Sequence, residues 1–581
     1  MHQFFRYSFI IISLVLSIQV VAQPEKNKRL ICATCTINPY KYVQVKSDTF
    51  QKASVSSAHP LASLVGAAIM KQGGNAFDAA IATQLALAVV YSGAGNLGGG
   101  GFLLARTHQQ QLIALDYREK APARAHRDMY LDKDGNAIEQ LSKLGHLAAG
   151  VPGTIAGIDA TLPYAKLPLK ILIQPAIDLA KYGFVLTERE ANNLNDSRAA
   201  FEQYNTQPTA FVKPTSWKAG DTLVQPELAA TLERIQRWGA KGFYEGTTAD
   251  FIVAEMQRGK GIITHNDLKN YKAAVRTPLV FNYRNHTIIG FPPPSSGGIL
   301  TAQMLGMLER YPLRKYGFHN VKAVQLIIEA ERRAYADRAE HMGDADFYPV
   351  PTQMLIDPRY LQQRWRNYDS TKATPSNTIS AGKQSTFTVS EETTHISIID
   401  ADGTMVSITT TLNGNYGSKT VVGGAGFLLN NEMDDFSVKP GVANMYGAVG
   451  GVANAIAPNK RMLSSMTPTL VLKDNQPYLV VGTPGGTTIP TSVLQTLINI
   501  IDFDMSAAEA INAPKFHHQW LPDVVYVEKN VAPSLIEHLQ AMGYSITPRG
   551  NIGRTEVIRV LPYGKRETAA DIRGDDSVAG F

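Results

Sequence analysis

Residues 391–417 read EETTHISIIDADGTMVSITTTLNGNYG. Ile396 and Ile398 alternate with polar residues, Met405, Val406 and Ile408 follow, and Asp400-Ala401-Asp402-Gly403 lies between the two runs. An Asp-Gly step between alternating apolar residues predicts a β-hairpin with a tight turn. Thr393 and Thr394 then stand at the mouth of its first strand, where Thr alone signals only β-propensity. Upstream, residues 366–392 (RNYDSTKATPSNTISAGKQSTFTVSEE) are rich in Ser, Thr, Lys and Asn with few large apolar groups. That composition predicts an exposed, mobile segment. Thr393 therefore falls where such a segment ends and a sheet begins.

The chain of 581 residues is 44% hydrophobic and 18% charged, ample for a large buried core. Its formal charge of +6 is small and scattered, which argues against nucleic acid as a partner. The N-terminus, MHQFFRYSFIIISLVLSIQVVAQPEK, has Arg6 in a short head, an apolar run over residues 9–18 and Val20-Val21-Ala22 before Gln23. This is the pattern of a secretory signal, residues 1–22, cleaved after Ala22. The run is interrupted by Ser13, Ser17 and Gln19 and is shorter than the ~20 apolar residues of a spanning helix. No other segment of spanning length is found, so the expected location is the periplasm. Cys32 and Cys35 form a C-x-x-C in an exported chain, most simply a local disulfide, with no second Cys pair for a metal site.

Residues 60–90 read as two buried helices separated by Gly73-Gly74, and residues 102–106 and 112–116 as short strands. A mainly helical region follows, with 226–238 and 325–338 as typical members. Gly93-x-Gly95-x-x-Gly98 matches the dinucleotide fingerprint by letter, but a helix precedes it and a strand follows. A pyrophosphate site needs the reverse order, so the glycines are read as permitting close backbone packing or unusual φ angles, and a nicotinamide-dependent oxidoreductase is disfavoured. FPPPSSGG (291–298) reads as a rigid connection. His517 and His518 are adjacent, point to opposite faces of a strand and are read as structural.

In order along the chain, GGNAFDAAIA, AGNLGGGGF, LDYREKAP, PPPSSGG, TTHISIID, TTTLNGNYG, NNEMDDFS, RMLSSMTPT, GTPGGTTIP and APKFHHQW resemble the γ-glutamyltranspeptidase (glutathione hydrolase) family from about residue 55 to the end. The resemblance implies an α/β fold of the N-terminal nucleophile (Ntn) hydrolase type, a four-layer αββα sandwich. It implies self-cleavage between Glu392 and Thr393 into a large chain, 23–392, and a small chain, 393–581, that together form one αββα unit. A Thr hydroxyl at its ordinary pKa is a weak nucleophile, and an α-amino group of pKa near ~7.7 to 8.0 can serve as its base. Cleavage before Thr393 would create both groups at once.

Further roles follow from the resemblance residue by residue. Thr411 would orient the Thr393 amino group, and Gly485 and Gly486 would offer backbone N–H groups to an oxyanion. The α-carboxylate of a γ-glutamyl donor would meet Arg118, Ser464 and Ser465, and its α-ammonium Asn413, Glu432 and Asp435. Tyr446 would gate the pocket from a lid over 440–451. Glu432 stands where some members carry Gln, and Thr487-Thr488 where others carry Ser-Arg. The implied reaction is transfer of the γ-glutamyl group of glutathione and related amides to water, amino acids or dipeptides. The alternatives are a cephalosporin (glutaryl) acylase of the same fold and a catalytically silent binding protein. No metal or organic cofactor is implied.

Overall fold

The computed structural model describes residues 30–31, 36–380, 393–439 and 441–581. The signal-like segment, Cys32, Cys35, Glu392 and Pro440 lie outside the described residues. Among the described residues no helix is long and apolar enough to cross a membrane.

The hairpin expected at 391–417 is present. Strand β8 (Thr394–Ile399) pairs antiparallel with β9 (Met405–Thr411), Ile396 opposite Ile408 and Thr394 opposite Thr410. The chain reverses at Gly403, whose φ of 84° is one that a side-chain-bearing residue rarely adopts. Every residue of both strands is buried, because the hairpin forms the middle of a sheet covered on both faces. Before it come β1 (Ser47–Phe50), β2 (Ser54–Ser57), β3 (Gly100–Arg106), β4 (Leu112–Asp116), β5 (Ala274–Arg276), β6 (Leu279–Tyr283) and β7 (His286–Gly290). After it come β10 (Thr469–Lys473), β11 (Gln476–Gly482), β12 (Glu556–Val560), β13 (Arg566–Ala570) and β14 (Ser577–Gly580). They build two seven-stranded sheets, ordered β14-β2-β8-β9-β3-β4-β5 and β6-β7-β10-β11-β12-β13-β1. Both sheets are antiparallel throughout.

The sheets face each other across an apolar layer of Phe102, Leu104, Phe291, Met405, Leu470 and Val480 among others, with Phe102 and Phe291 stacked at 4.4 Å. Helices α1 (Pro60–Lys71) and α2 (Ala76–Val90) cover the outer face of the first sheet in one continuous core with Val55, Ile396, Ile398 and Val406. Asn75 and Asp78 cap α2 reciprocally, so the chain turns sharply from Gly73-Gly74 into the second helix. Helices α3 (Gly297–Leu308), α4 (Val321–His341) and α5 (Ile489–Ile501) pack with Val471, Leu479 and Val557 on the outer face of the second sheet. The result is the four-layer αββα sandwich.

Residues 226–238 are a helix over the expected span, with Pro at its first turn and Leu228, Leu232 and Ile235 buried. In the glycine run, helix α2 comes before and strand β3 after, the reverse of a dinucleotide site. A Cβ on Gly98 or Gly99 would lie 2.1 Å from the carbonyl oxygen of Leu428 or Thr411, so close backbone approach accounts for the glycines. One expectation is corrected. Within 366–392, Thr374, Ser376 and Ile379 are buried rather than exposed. Arg332 and Arg333 of α4 are themselves buried and donate to Ser376 Oγ and, at 3.2 Å, to Thr374 Oγ1, which draws this polar stretch inward.

Candidate active site

Register places the first pair of residues. Thr394 opposes Thr410, so Thr393 sits beside Thr411 at the end of the hairpin, and their hydroxyl oxygens are 3.5 Å apart. The contact is hydroxyl to hydroxyl, and Thr411 Oγ1 also accepts the Asn413 backbone N–H at 2.7 Å. Asn413 follows in a left-handed conformation (φ 74°) and donates from Nδ2 to the Asn431 carbonyl at 3.0 Å. That bond ties the end of β9 to the turn of residues Glu432–Asp435.

Arg118 follows β4 and is 1% exposed. Its Nη1 pairs with Glu432 Oε2 at 2.7 Å, and its Nη2 pairs with Asp435 Oδ2. Burial opposes the guanidinium charge, but Glu432, Asp435 and Glu119 outweigh it and hold the pKa above the ordinary arginine value. Burial in turn raises the carboxyl pKa values of Glu432 and Asp435, against the pull of Arg118. Asn444 donates to Asp435 Oδ1 at 3.0 Å. The groups expected to take the two charges of an amino acid thus contact one another directly.

Ser464 and Ser465 lie on the segment leading into β10 and are pinned by the proline turn. The Ser464 N–H donates to the Pro294 carbonyl at 2.9 Å, and its own carbonyl accepts from the Ser296 N–H at 2.8 Å. The rigid FPPPSSGG connection therefore holds the two serines at the pocket.

At the opposite wall, Gly485 (φ 137°) and Gly486 (φ 52°) form the turn before α5. Both conformations are ones that glycine adopts without steric cost. Thr488 Oγ1 closes that turn on the Gly485 carbonyl at 2.7 Å, and the Tyr335 hydroxyl of α4 donates to the Thr487 carbonyl. Tyr446 donates from its hydroxyl to the Asn413 carbonyl. Its own carbonyl accepts from Gln519 Nε2 at 3.2 Å, and Gln519 Oε1 accepts from Thr487 Oγ1 at 2.6 Å. Neighbouring His517 and His518 are buried, with pKa values pushed down by burial to about 3 and about 4, which favours neutral rings.

One pocket gathers Thr393, Thr411, Asn413, Arg118, Glu432, Asp435, Ser464, Ser465, Tyr446 and Gly486; Gly485 stands just behind Gly486. The space open to a water-sized molecule is about 20 Å³, room for roughly one water. Four further lining residues were not singled out from the sequence: Arg338, Asn444, Met466 and Ile489. Arg338 is one of several charges on α4, most of them buried, and nothing local in the sequence sets it apart from the others. Among the described residues no cluster of His, Cys, Asp and Glu has the makings of a metal site.

A two-sheet sandwich with a Thr at the mouth of a central hairpin defines an N-terminal nucleophile fold. The chain resembles a solved cephalosporin acylase from Bacillus halodurans, with TM-score 0.82 at 25% identity, over 93% of this chain and 98% of that one. It also resembles γ-glutamyltranspeptidase from Helicobacter pylori, with TM-score 0.55 at 44% identity, over 56% of this chain and 94% of that one. A glutathione hydrolase proenzyme of Escherichia coli is 46% identical over 546 residues, 92% of this chain and 94% of the relative. The γ-glutamyltranspeptidase family model matches residues 62–581, and the chain belongs to that family.

Proposed function

We propose that this chain is a self-cleaving enzyme that transfers the γ-glutamyl group of glutathione and related amides to water, amino acids or dipeptides. The observation that carries the reading is Thr393 Oγ1 beside Thr411 Oγ1 in a pocket whose other wall holds Arg118 between Glu432 and Asp435. A zwitterionic donor end matches that wall with its charges exchanged: its carboxylate takes the guanidinium and the serines, and its ammonium takes Glu432, Asp435 and Asn413. Thr393 Oγ attacks the γ-carbonyl carbon, its proton passes to the α-amino nitrogen created by cleavage, and the oxyanion is met by backbone N–H groups of Gly485 and Gly486. The amine leaves with a proton, and water or a second amine then attacks the ester. Residues 1–22 direct export, and residues 23–392 and 393–581 remain together as a heterodimer.

A cephalosporin acylase is the second reading, favoured by the acylase fold match. Glu432 and Asp435 oppose it, because a glutaryl side chain has no ammonium to satisfy two buried carboxylates. Mass measurement of the purified protein at neutral pH should show a fragment beginning Thr-Thr-His, and a Thr393→Ala variant should stay whole with activity lost by at least ~10⁴-fold. A wild-type chain that stays whole would remove the catalytic assignment.

A further inference from the structure

Arg338 belongs to α4, far in sequence from every other residue of the carboxylate subsite, yet it lines the pocket and is only 7% exposed. Its Nη2 donates to Ser465 Oγ at 3.1 Å and its Nε to Ser296 Oγ at 3.1 Å. Ser296 Oγ passes the chain on to the Ser464 carbonyl at 2.8 Å. Among the described residues Arg338 has no ion-pair partner, unlike Arg118 with its two carboxylates.

Two consequences follow from elementary chemistry. A guanidinium only donates, so Ser465 Oγ must accept from it and its own proton is left to point elsewhere. Ser464 Oγ likewise accepts the Met466 N–H at 3.1 Å. Both serines thereby accept from behind and keep their own protons available to donate, the polarity that a carboxylate needs. The charge balance points the same way. Arg118 is already committed to Glu432 Oε2 and Asp435 Oδ2, so Arg338, which has no carboxylate partner of its own among the described residues, adds positive charge for an incoming carboxylate to meet.

We propose that Arg338 is a positioning residue of the α-carboxylate subsite: it fixes the Ser465 hydroxyl as a donor and supplies the second positive charge that makes the subsite select an anion. This rests on the γ-glutamyl reading given above. Burial pulls the Arg338 pKa below the ordinary arginine value, with Tyr335 and Asp435 opposing and Arg118 adding to that pull.

The test compares L-γ-glutamyl-p-nitroanilide with its analogue carrying an α-carboxamide, using active-site-titrated mature protein. Wild type should prefer the free acid. Arg338→Gln should cut that preference at least tenfold, chiefly through KM, and Arg338→Lys should recover part of it. In a double-mutant cycle Ser465→Ala should add less than threefold to Arg338→Gln, because the two act through one hydroxyl. An unchanged preference, equal losses of kcat on both compounds, or full additivity would overturn the proposal. So would failure of Arg338→Lys to mature, since the residue would then serve the precursor's fold. Arg118→Lys is the parallel control. If it also leaves the preference unchanged, the subsite reading itself fails; if it relaxes the preference while the Arg338 variants do not, only the role of Arg338 fails.

Discussion

Arg118 gives up its hydration for Glu432 and Asp435, and buried ion pairs of this kind do little for stability because desolvation offsets most of the attraction. Their worth lies in what they exclude: an uncharged acyl group can satisfy neither the cation nor the anions. Beside them Glu119 is wholly buried, and burial pushes its pKa up to about 8 even though Arg118 pulls it down. A carboxyl that keeps its proton in the folded chain but sheds it near 4.5 when unfolded contributes stability at acid pH that drains away as pH rises toward 8. Glu119→Gln keeps the neutral shape and removes that dependence. In the uncleaved Thr393→Ala background, denaturant midpoints between pH 5 and 8 should therefore fall less steeply for Glu119→Gln, by on the order of 1 kcal/mol per pH unit. Parallel slopes would mean that Glu119 is ionised in the fold. Most of the site was legible in the sequence, since Arg118, Asn413, Glu432, Asp435, Ser464 and Ser465 sit in distinctive local strings. Arg338 was not, because its role is defined by Ser465, 127 positions away.

The hairpin that carries Thr393 at its mouth turns on Asp400, which is 3% exposed. Its Oδ1 accepts the N–H groups of Asp402 at 3.0 Å and Thr404 at 2.8 Å, and its Oδ2 accepts the Ala76 N–H at the start of α2 at 3.0 Å. One side chain thus closes the turn and docks the covering helix. Asp400→Ala strands three donors and should cost about 2 to 4 kcal/mol in the uncleaved background. Asp400→Asn, which keeps one acceptor oxygen but turns an amide toward Ala76, should cost less than Ala and more than nothing. A loss below about 0.5 kcal/mol for Ala would show that water replaces the carboxylate without penalty. The turn was readable in advance because Asp-Gly acts locally, and so were the helices at 60–90 and 226–238, whose caps and apolar spacing are local too. The burial of Thr374 and Ser376 was not readable, because their partners are arginines on a helix more than 40 residues earlier. Strand order was equally hidden: Ser54–Ser57 joins Thr394–Ile399 on one edge and Ser577–Gly580 on the other.

Both sheets mix strands from before and after Thr393, and this decides how a cleaved molecule would behave. In the first sheet β8 and β9 lie between β2 and β3, and in the second β10 to β13 lie between β7 and β1. Removing residues 393–581 would strip the centre of each sheet, open unpaired strand edges and expose the layer that Phe102, Met405, Leu470 and Val480 fill together. The cores on the outer faces of both sheets also draw on residues from both fragments. The two chains should therefore co-elute as one species on native size exclusion, appear as two bands only under denaturing conditions, and unfold in a single shared transition. The dissociated fragments should lack stable tertiary structure when separated in denaturant and returned individually to buffer. Recovery of either fragment alone with a cooperative melt would contradict this, since it would require a sheet that folds without its central strands.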